Sequence, residues 1–354
     1  MHLFSPLSIR QTTLRNRIWV SPMCQYSAVD GMPNTWHLVH LGSFATGGAG
    51  LIFTEATAVL PEGRIAPEDA GIWSDAHRDA WAPLVDFVHA QGGTIGMQLG
   101  HAGRKASSYR PWSPVRGTVP AAEGGWTAMA PSAVPFGRYD TPTPLTQAQV
   151  AEVVEAFRRA ARRALDAGFD VLEVHGAHGY LIHQFLSPLA NDRNDEYGGS
   201  LENRARLLLE VVAAVRAEAG EKVPLFVRLS ATDWAEDGGW DVEQTSIVAG
   251  WAQAAGADFF DVSTGGILAQ ANIPLEPGYQ VPFAEHVKSA ASVPVSAVGL
   301  ISGPQQANEI VVSGKADAVM LARAMLRNPH FALQASIDLG VEIDYWPDQY
   351  LRAR

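Results

Sequence analysis

The segment "EVHGAHGYLIHQF" (residues 173–185) sets His175 and His178 three residues apart and follows them with Tyr180, at the end of an apolar run with strand character. Two imidazoles this close suit three uses. A catalytic zinc takes three protein ligands and carboxylates that orient them; His183 is the only near third histidine, and no H-E-x-x-H motif is present. Two hydrogen-bonded core histidines are the plain structural use. In the third, both rings aim N–H groups at one oxygen, polarising a carbonyl and stabilising an enolate, with the Tyr180 phenol as general acid. That arrangement lacks only a nucleophile or a hydride source. Cys24 is the single thiol and no G-x-S-x-G elbow occurs, so the source is a cofactor.

The sequence offers a mould for one. Gln98 ends an apolar run, and Arg228 interrupts another, "LFVRLS". A guanidinium there is an unneutralised charge in a low-dielectric interior unless something anionic meets it, either a cofactor or an ordinary buried carboxylate. Two later runs end in "AVGLISG" and "MLARAM", where backbone N–H groups suit a phosphate and Arg323 adds charge-assisted bonds. A phosphorylated, partly anionic ring such as flavin mononucleotide (FMN) fits better than a nicotinamide alone.

These residues need elements to position them. Short runs rich in Val, Ile and Phe alternate with stretches of helical period. Eight strands are predicted: 17–23, 50–59, 94–100, 170–176, 225–230, 259–265, 293–299 and 317–323. Thr146 and Gln149 form a capping box for a helix that Gly168 can stop; Ser200 and Gly220 bracket the next; Pro304 and Gly314 bracket a third. Eight strand and helix units predict an α/β fold, a single (β/α)8 TIM barrel over residues 1–354, whose working face is the carboxyl end of the strands. A doubly wound sheet is the rival, but no G-x-G-x-x-G follows the first strand. The start, "LFSPLSIRQTTLRNRI", is predicted to form a hairpin over the barrel floor. Residues 101–145 break the rhythm with seven prolines and with Trp112, Trp126, Phe136 and Tyr139; so long a connection after the third strand is predicted to be a lid.

Composition narrows the rest. Of 354 residues, 47% are hydrophobic and 18% charged, a well-packed globule. The formal charge of −11 with no Lys/Arg run offers nucleic acid and anionic lipid nothing to hold. No apolar run approaches the roughly 18 residues of a membrane span. A lone cysteine and the start "MHLFSPLSIR" place the chain in the cytoplasm.

Taken together, the chain resembles the Old Yellow Enzyme family of flavin-dependent ene-reductases nearly end to end. The most specific segment is 175–210, where the family pattern stands as Asn191, Arg193, Asp195, Tyr197, Gly198, Gly199, Ser200, Asn203 and Arg204. "SPMCQYSA" (21–28) is similar to the bacterial, cysteine-containing, xenobiotic-reductase-like branch. The resemblance implies that FMN, bound tightly without a covalent link, is held by Ser21, Pro22, Met23, Cys24, Ala56, Gln98, Arg228, Ala322 and Arg323, with Gly299 and Gly303 at the phosphate, and that Cys24 tunes its potential. It implies no metal. His175 and His178 match the carbonyl-binding pair, Tyr180 the proton donor and Tyr26 a substrate contact, placed beside Cys24 on an extended strand. Arg352 matches an arginine that enters a neighbouring subunit's active site, with Arg354 as its close alternative, Trp346 and Tyr350 as interface anchors and 340–354 as an interface tail; a homodimer or homotetramer follows.

The activity implied has two halves. NADPH or NADH reduces the flavin, and the flavin then reduces the carbon–carbon double bond of an α,β-unsaturated carbonyl compound, with nitro compounds and other xenobiotics as further acceptors. The competing readings are a dienoyl-CoA reductase-like flavin barrel, which would carry an iron–sulfur cluster that one cysteine cannot ligate, a metal-dependent hydrolase, and a non-catalytic ligand-binding barrel.

Overall fold

A computed structural model of the chain describes residues 2–354. The first elements are an antiparallel hairpin, β1 (Leu7–Ile9) and β2 (Thr12–Leu14), with Leu7 opposite Leu14. Its apolar side chains pack on Trp19, Phe53, Phe226 and Phe259, so the hairpin closes the barrel floor as the sequence suggests. The strands that follow are β3 (Ile18–Val20), β4 (Leu51–Ala58), β5 (Ile95–Gly100), the short pair β6 (Met129–Ala130) and β7 (Thr143–Pro144), then β8 (Val171–Gly176), β9 (Leu225–Ser230), β10 (Phe259–Ser263), β11 (Val295–Ala297) and β12 (Ala318–Leu321). All but β1, β2, β6 and β7 form one closed parallel barrel in chain order, with β12 pairing back to β3.

Each predicted strand is present, and most are shorter at their ends. The first stops at Val20 instead of residue 23, because Pro22 has no N–H for a ladder. The sixth stops at Ser263 because Gly265 and Gly266 turn to φ +73° and +102°. The seventh shrinks to Val295–Ala297, bounded by Pro294 and by Gly299 at φ +115°. Gln98 lies inside β5, two residues before its end, not at its terminus.

Outside the barrel run α1 (Thr35–Thr46), α2 (Asp75–Ala90), α3 (Gln147–Asp166), α4 (Leu181–Leu186), α5 (Leu201–Ala219), α6 (Val242–Ala254), α7 (Val281–Ala291), α8 (Pro304–Val312), α9 (Arg323–Arg327) and α10 (Phe331–Asp338). The capping box of Thr146 and Gln149 is formed in full, Ser200 caps α5, and Gly220 ends it. Among the described residues, no helix is long and apolar enough to cross a membrane.

Side chains alternate along each strand, and the inward ones stack in tiers. The lowest tier is aromatic: Phe226 and Phe259 stack at 4.7 Å, with Trp19 at 5.0 Å from Phe259 and Phe53 at 5.7 Å from Phe226. Two residues further along β9, β10 and β8 come Arg228, Asp261 and Glu173, and two further come Ser230, Ser263 and His175. The interior therefore passes from hydrocarbon to ion pair to imidazole within four residues.

Candidate active site

The upper tiers sit at the carboxyl ends of the strands, where β8 delivers His175 as its last side-chain-bearing residue. The turn that follows is tight: His178 adopts φ +58° and Gly179 φ +70°. A Cβ on Gly179 would lie 2.0 Å from the Gly266 carbonyl oxygen, so only glycine fits between the two loops. The turn brings the His175 ring centre to 5.2 Å from that of His178 and 5.0 Å from that of Tyr180. The proposed carbonyl pair and the phenol therefore meet. Burial, reinforced by Arg228, holds both imidazoles well below the usual histidine range, so both are neutral; burial likewise pushes the Tyr180 phenol up, so it keeps its proton.

Hydrogen bonds decide which His178 nitrogen is free. Ser263 Oγ lies 2.7 Å from His178 Nε2 and 3.1 Å from Gln280 Oε1, and Gln280 Oε1 also accepts from Thr264 Oγ1 at 2.7 Å. The Gln280 oxygen accepts from both hydroxyls, and Ser263 Oγ engages His178 Nε2. His178 Nδ1 is the ring nitrogen left without a protein partner among the described residues. The His178 backbone is held from both sides, its N–H donating to Ser230 Oγ (2.9 Å) and its carbonyl accepting from Lys105 Nζ (2.7 Å). Lys105 also donates to Gly266 O (3.1 Å) and lies 4.8 Å over the Tyr180 ring; burial brings its pKa down to about 7.

His183 is occupied. Its Nδ1 accepts from the Gly179 N–H (2.9 Å) and its Nε2 faces Asp233 Oδ1 at 3.0 Å in full burial, which braces the turn after β8. Gln184 ties the same turn to residues 101–145, donating to Gly179 O and Ala102 O and accepting from the Arg104 N–H. The family-diagnostic motif proves to be a brace too: Asn191 donates to Phe185 O and Tyr197 O, and Arg193 pairs with Asp195 and donates to Pro131 O and Leu145 O.

Beneath the imidazoles, Arg228 Nε pairs with Asp261 Oδ2 at 2.8 Å. The guanidinium is thus neutralised by a buried carboxylate, one of the two partners the sequence left open. A second carboxyl, Glu173, accepts from Gln98 Nε2 at 2.6 Å and is pushed up to about 8 by burial and by Asp261.

The loop after β3 carries Ser21, Pro22, Met23 and Cys24. It is pinned by Glu55, which accepts from the Gln25 N–H (3.1 Å) and pairs with His37 (3.0 Å). Glu55 precedes Ala56, at an irregular register between β4 and β5. The Cys24 thiol is raised well above its ordinary value by burial, then by Asp69 and Glu55, and stays protonated. Tyr26 lies beside Cys24, as the sequence reading had it, but not on an extended strand: the strand has ended and Tyr26 takes φ +49°. That turn carries it into a vestibule of about 360 Å³ that it shares with Lys105, Tyr139 and Tyr180, and its ring meets Trp112 edge-on at 5.5 Å.

At the far side, a cavity of about 160 Å³ is lined by Gly299, Ala322 and Arg323 together with Tyr279, Ser302 and Arg327. Neither arginine has an ion-pair partner among the described residues, so this end suits a phosphate dianion. Gly303 does not line it; it caps α8. Arg352 and Arg354 are exposed in the last turn, away from these cavities, with Arg354 against the groove formed by Arg15 and Val341–Tyr345. Sequence reasoning missed Lys105, Glu173, Gln184, Ser263 and Gln280, which all have partners far away in the chain, and Arg327, which the fold brings beside Arg323.

Residues 2–341 match the model of the NADH:flavin oxidoreductase / NADH oxidase family. The NADPH dehydrogenase of Halalkalibacterium halodurans is 45% identical over 353 residues, 99% of this chain and 98% of that protein. The NADPH dehydrogenase of Geobacillus sp. (strain WCH70) is 47% identical over 344 residues, 96% of this chain and 95% of that protein. Among solved structures, morphinone reductase in complex with tetrahydroNAD superposes with a TM-score of 0.79 at 30% identity, covering 97% of this chain and 92% of that one. A 2-naphthoyl-CoA reductase gives 0.85 at 27% identity, covering 96% of this chain and 52% of that one.

Proposed function

Because the chain belongs to the NADH:flavin oxidoreductase / NADH oxidase family, that of Old Yellow Enzyme, and is an FMN-dependent oxidoreductase driven by a reduced nicotinamide, we propose that it reduces the activated double bond of α,β-unsaturated carbonyl compounds, with nitro compounds and other xenobiotics as further acceptors. The observation that carries this reading is the convergence of two neutral imidazoles and a protonated phenol at the barrel mouth.

The residues fit the cofactor. The cavity with unpaired Arg323 and Arg327 takes the phosphate, with Gly299 and Ala322 against it. The ring end falls to the Ser21–Cys24 backbone, Ala56, Gln98 and Arg228. Bound FMN supplies hydride acceptance from the nicotinamide and hydride donation to the alkene. The imidazole pair of His178 and His175 grips the acceptor's carbonyl oxygen and draws electron density from the β-carbon. Tyr180 holds a proton at its phenolic oxygen until the α-carbon takes it. Tyr26 and Trp112 bound the substrate from the vestibule, residues 101–145 exclude water as a lid, and Cys24 lies beside the ring as a neutral thiol. Residues 1–354 act as one domain, and Arg352 or Arg354 completes the site of a neighbouring copy in a homodimer or homotetramer, with 340–354 at the interface.

The test is anaerobic stopped-flow on FMN-loaded Tyr180→Phe. Reoxidation by a small enone should slow by about 10²–10⁴-fold, while reduction by NADPH stays within about twofold. Equal slowing of both halves refutes the acid role.

A further inference from the structure

Tyr180 borders a second cavity besides the vestibule. It is partly open, about 10 Å³ in volume, and also lined by Asp69, His101 and His175. That is room for a single water molecule. Each of those three residues carries a buried polar atom with no protein partner: Asp69 Oδ1, His101 Nε2 and His175 Nδ1. Their other atoms are committed. Asp69 Oδ2 accepts from the Ile65 N–H (2.7 Å) and the Ala66 N–H (3.2 Å), and His101 Nδ1 accepts from the Gly103 N–H (3.0 Å). The His101 proton must therefore sit on Nε2, as a donor. Three orphaned polar atoms around one water-sized space mark a built site, since buried polar groups are satisfied by protein or by ordered water.

We propose that this cavity holds one water molecule and that Asp69 is a positioning residue for protons, recharging Tyr180 through that water. The water accepts from His101 Nε2–H and from the Asp69 O–H, and donates to His175 Nδ1 and to the Tyr180 oxygen. Donation to Nδ1 keeps the His175 proton on Nε2, the tautomer that can donate to a substrate carbonyl. After Tyr180 has given its proton to the α-carbon, the water's O–H bond breaks as a new phenol O–H forms. The Asp69 O–H then breaks to restore the water, leaving a carboxylate that regains its proton from solvent once product leaves. No electrons move in these steps. The need arises because a ligand in the vestibule seals the solvent side of Tyr180.

The surroundings keep Asp69 a proton donor. Burial and the neighbouring Glu55 raise it well above the usual carboxylate range, against the opposing pull of Arg64. The other titratable groups facing it are Cys24, Tyr26 and Tyr180, beside His101 and His175 in the cavity wall.

This inference rests on Tyr180 as the acid, and the experiment separates the two. Holoenzyme of the wild type, Asp69→Asn and Tyr180→Phe is pre-reduced and mixed with 2-cyclohexenone, first for one turnover and then with excess NADPH for many. Asparagine keeps the acceptor toward Ile65 and Ala66 but has no acidic proton. Asp69→Asn should match wild type in the first turnover, which spends the proton already on Tyr180, and slow by about tenfold or more from the second. It should also abolish the fall in turnover that wild type shows as pH rises through the Asp69 pKa, which a merely structural role would not do. Slowing from the first turnover, slowing of the NADPH half, or a wild-type rate and pH profile overturns the proposal. Should Asp69→Asn lose FMN, Asp69→Ser, which keeps a hydroxyl but no acidic proton, is read by the same criteria, with wild-type turnover and pH profile overturning the proposal. Tyr180→Phe with an unslowed first turnover overturns the acid assignment itself, and the proton reserve with it.

Discussion

The floor and the mouth of the barrel are built on the same strands, two to four residues apart, yet obey opposite rules. On the floor, Trp19, Phe53, Phe226 and Phe259 are fully buried hydrocarbon with no polar demand. Two residues on, Arg228, Asp261 and Glu173 put one cation between two carboxyls in equal burial. Dry aromatic packing gains stability directly. A buried ion pair gains little over a hydrophobic replacement but costs much when half of it is removed. The floor is therefore where this protein is held together, and the tiers above are where stability is given up for chemistry.

The largest effect that tests this division is on the floor. Phe226→Ala should lose about 3–5 kcal/mol in denaturant unfolding, while the fraction that stays folded binds FMN and turns over near the wild-type rate. An activity loss beyond the loss of folded protein would break the comparison. Arg228→Met, one tier up, should also lose about 3–5 kcal/mol, and adding Asp261→Leu should recover most of it because no charge is then left unpaired; both variants should bind FMN poorly. Failure of the second change to recover stability would place Arg228 among the structural residues. In the next tier, His175→Ala with His178→Ala should leave the melting temperature within a few degrees, retain FMN and weaken binding of phenols by about 10²–10³-fold.

Two smaller effects sharpen the picture. Glu173 titrates near 8 in the fold, above its ordinary value of 4.5. The folded state then binds the proton more tightly than the unfolded chain does, so Glu173 favours folding at low pH, and that contribution fades as pH climbs from about 4.5 to 8. Unfolding of wild type and Glu173→Gln across this range should diverge progressively, with wild type falling; parallel curves would mean that Glu173 is ionised throughout. Smallest is Thr146→Ala, which removes the α3 capping box far from both tiers and should cost about 1 kcal/mol with unchanged kinetics.

The fold was legible because its signals are local. Eight apolar runs, the Thr146 and Ser200 caps and the glycine stops each report on a few neighbouring residues. The His175, His178 and Tyr180 turn was legible for the same reason. What sequence spacing does not carry is which side chains meet across the closed barrel. Gln98 reaches Glu173 and His178 reaches Ser263 only through the register that closure imposes, so Arg228 could be read as a buried charge while its partner Asp261 stayed hidden. Tyr26 does reach Cys24, but by a turn and not by strand alternation, a rule that ends with the strand at Val20. Asn191 to Arg204, the most recognisable stretch of the chain, holds the mouth in shape from outside it.

Cys24 carries a practical corollary. A sulfhydryl held protonated chiefly by burial reacts slowly with electrophiles, since the thiolate is the attacking species. As the sole thiol in the chain, it should react slowly with maleimides at neutral pH. Each labelling event adds one mass increment to one molecule, so the rate of that increment reports the thiolate fraction of Cys24, readable by mass spectrometry with no engineered probe.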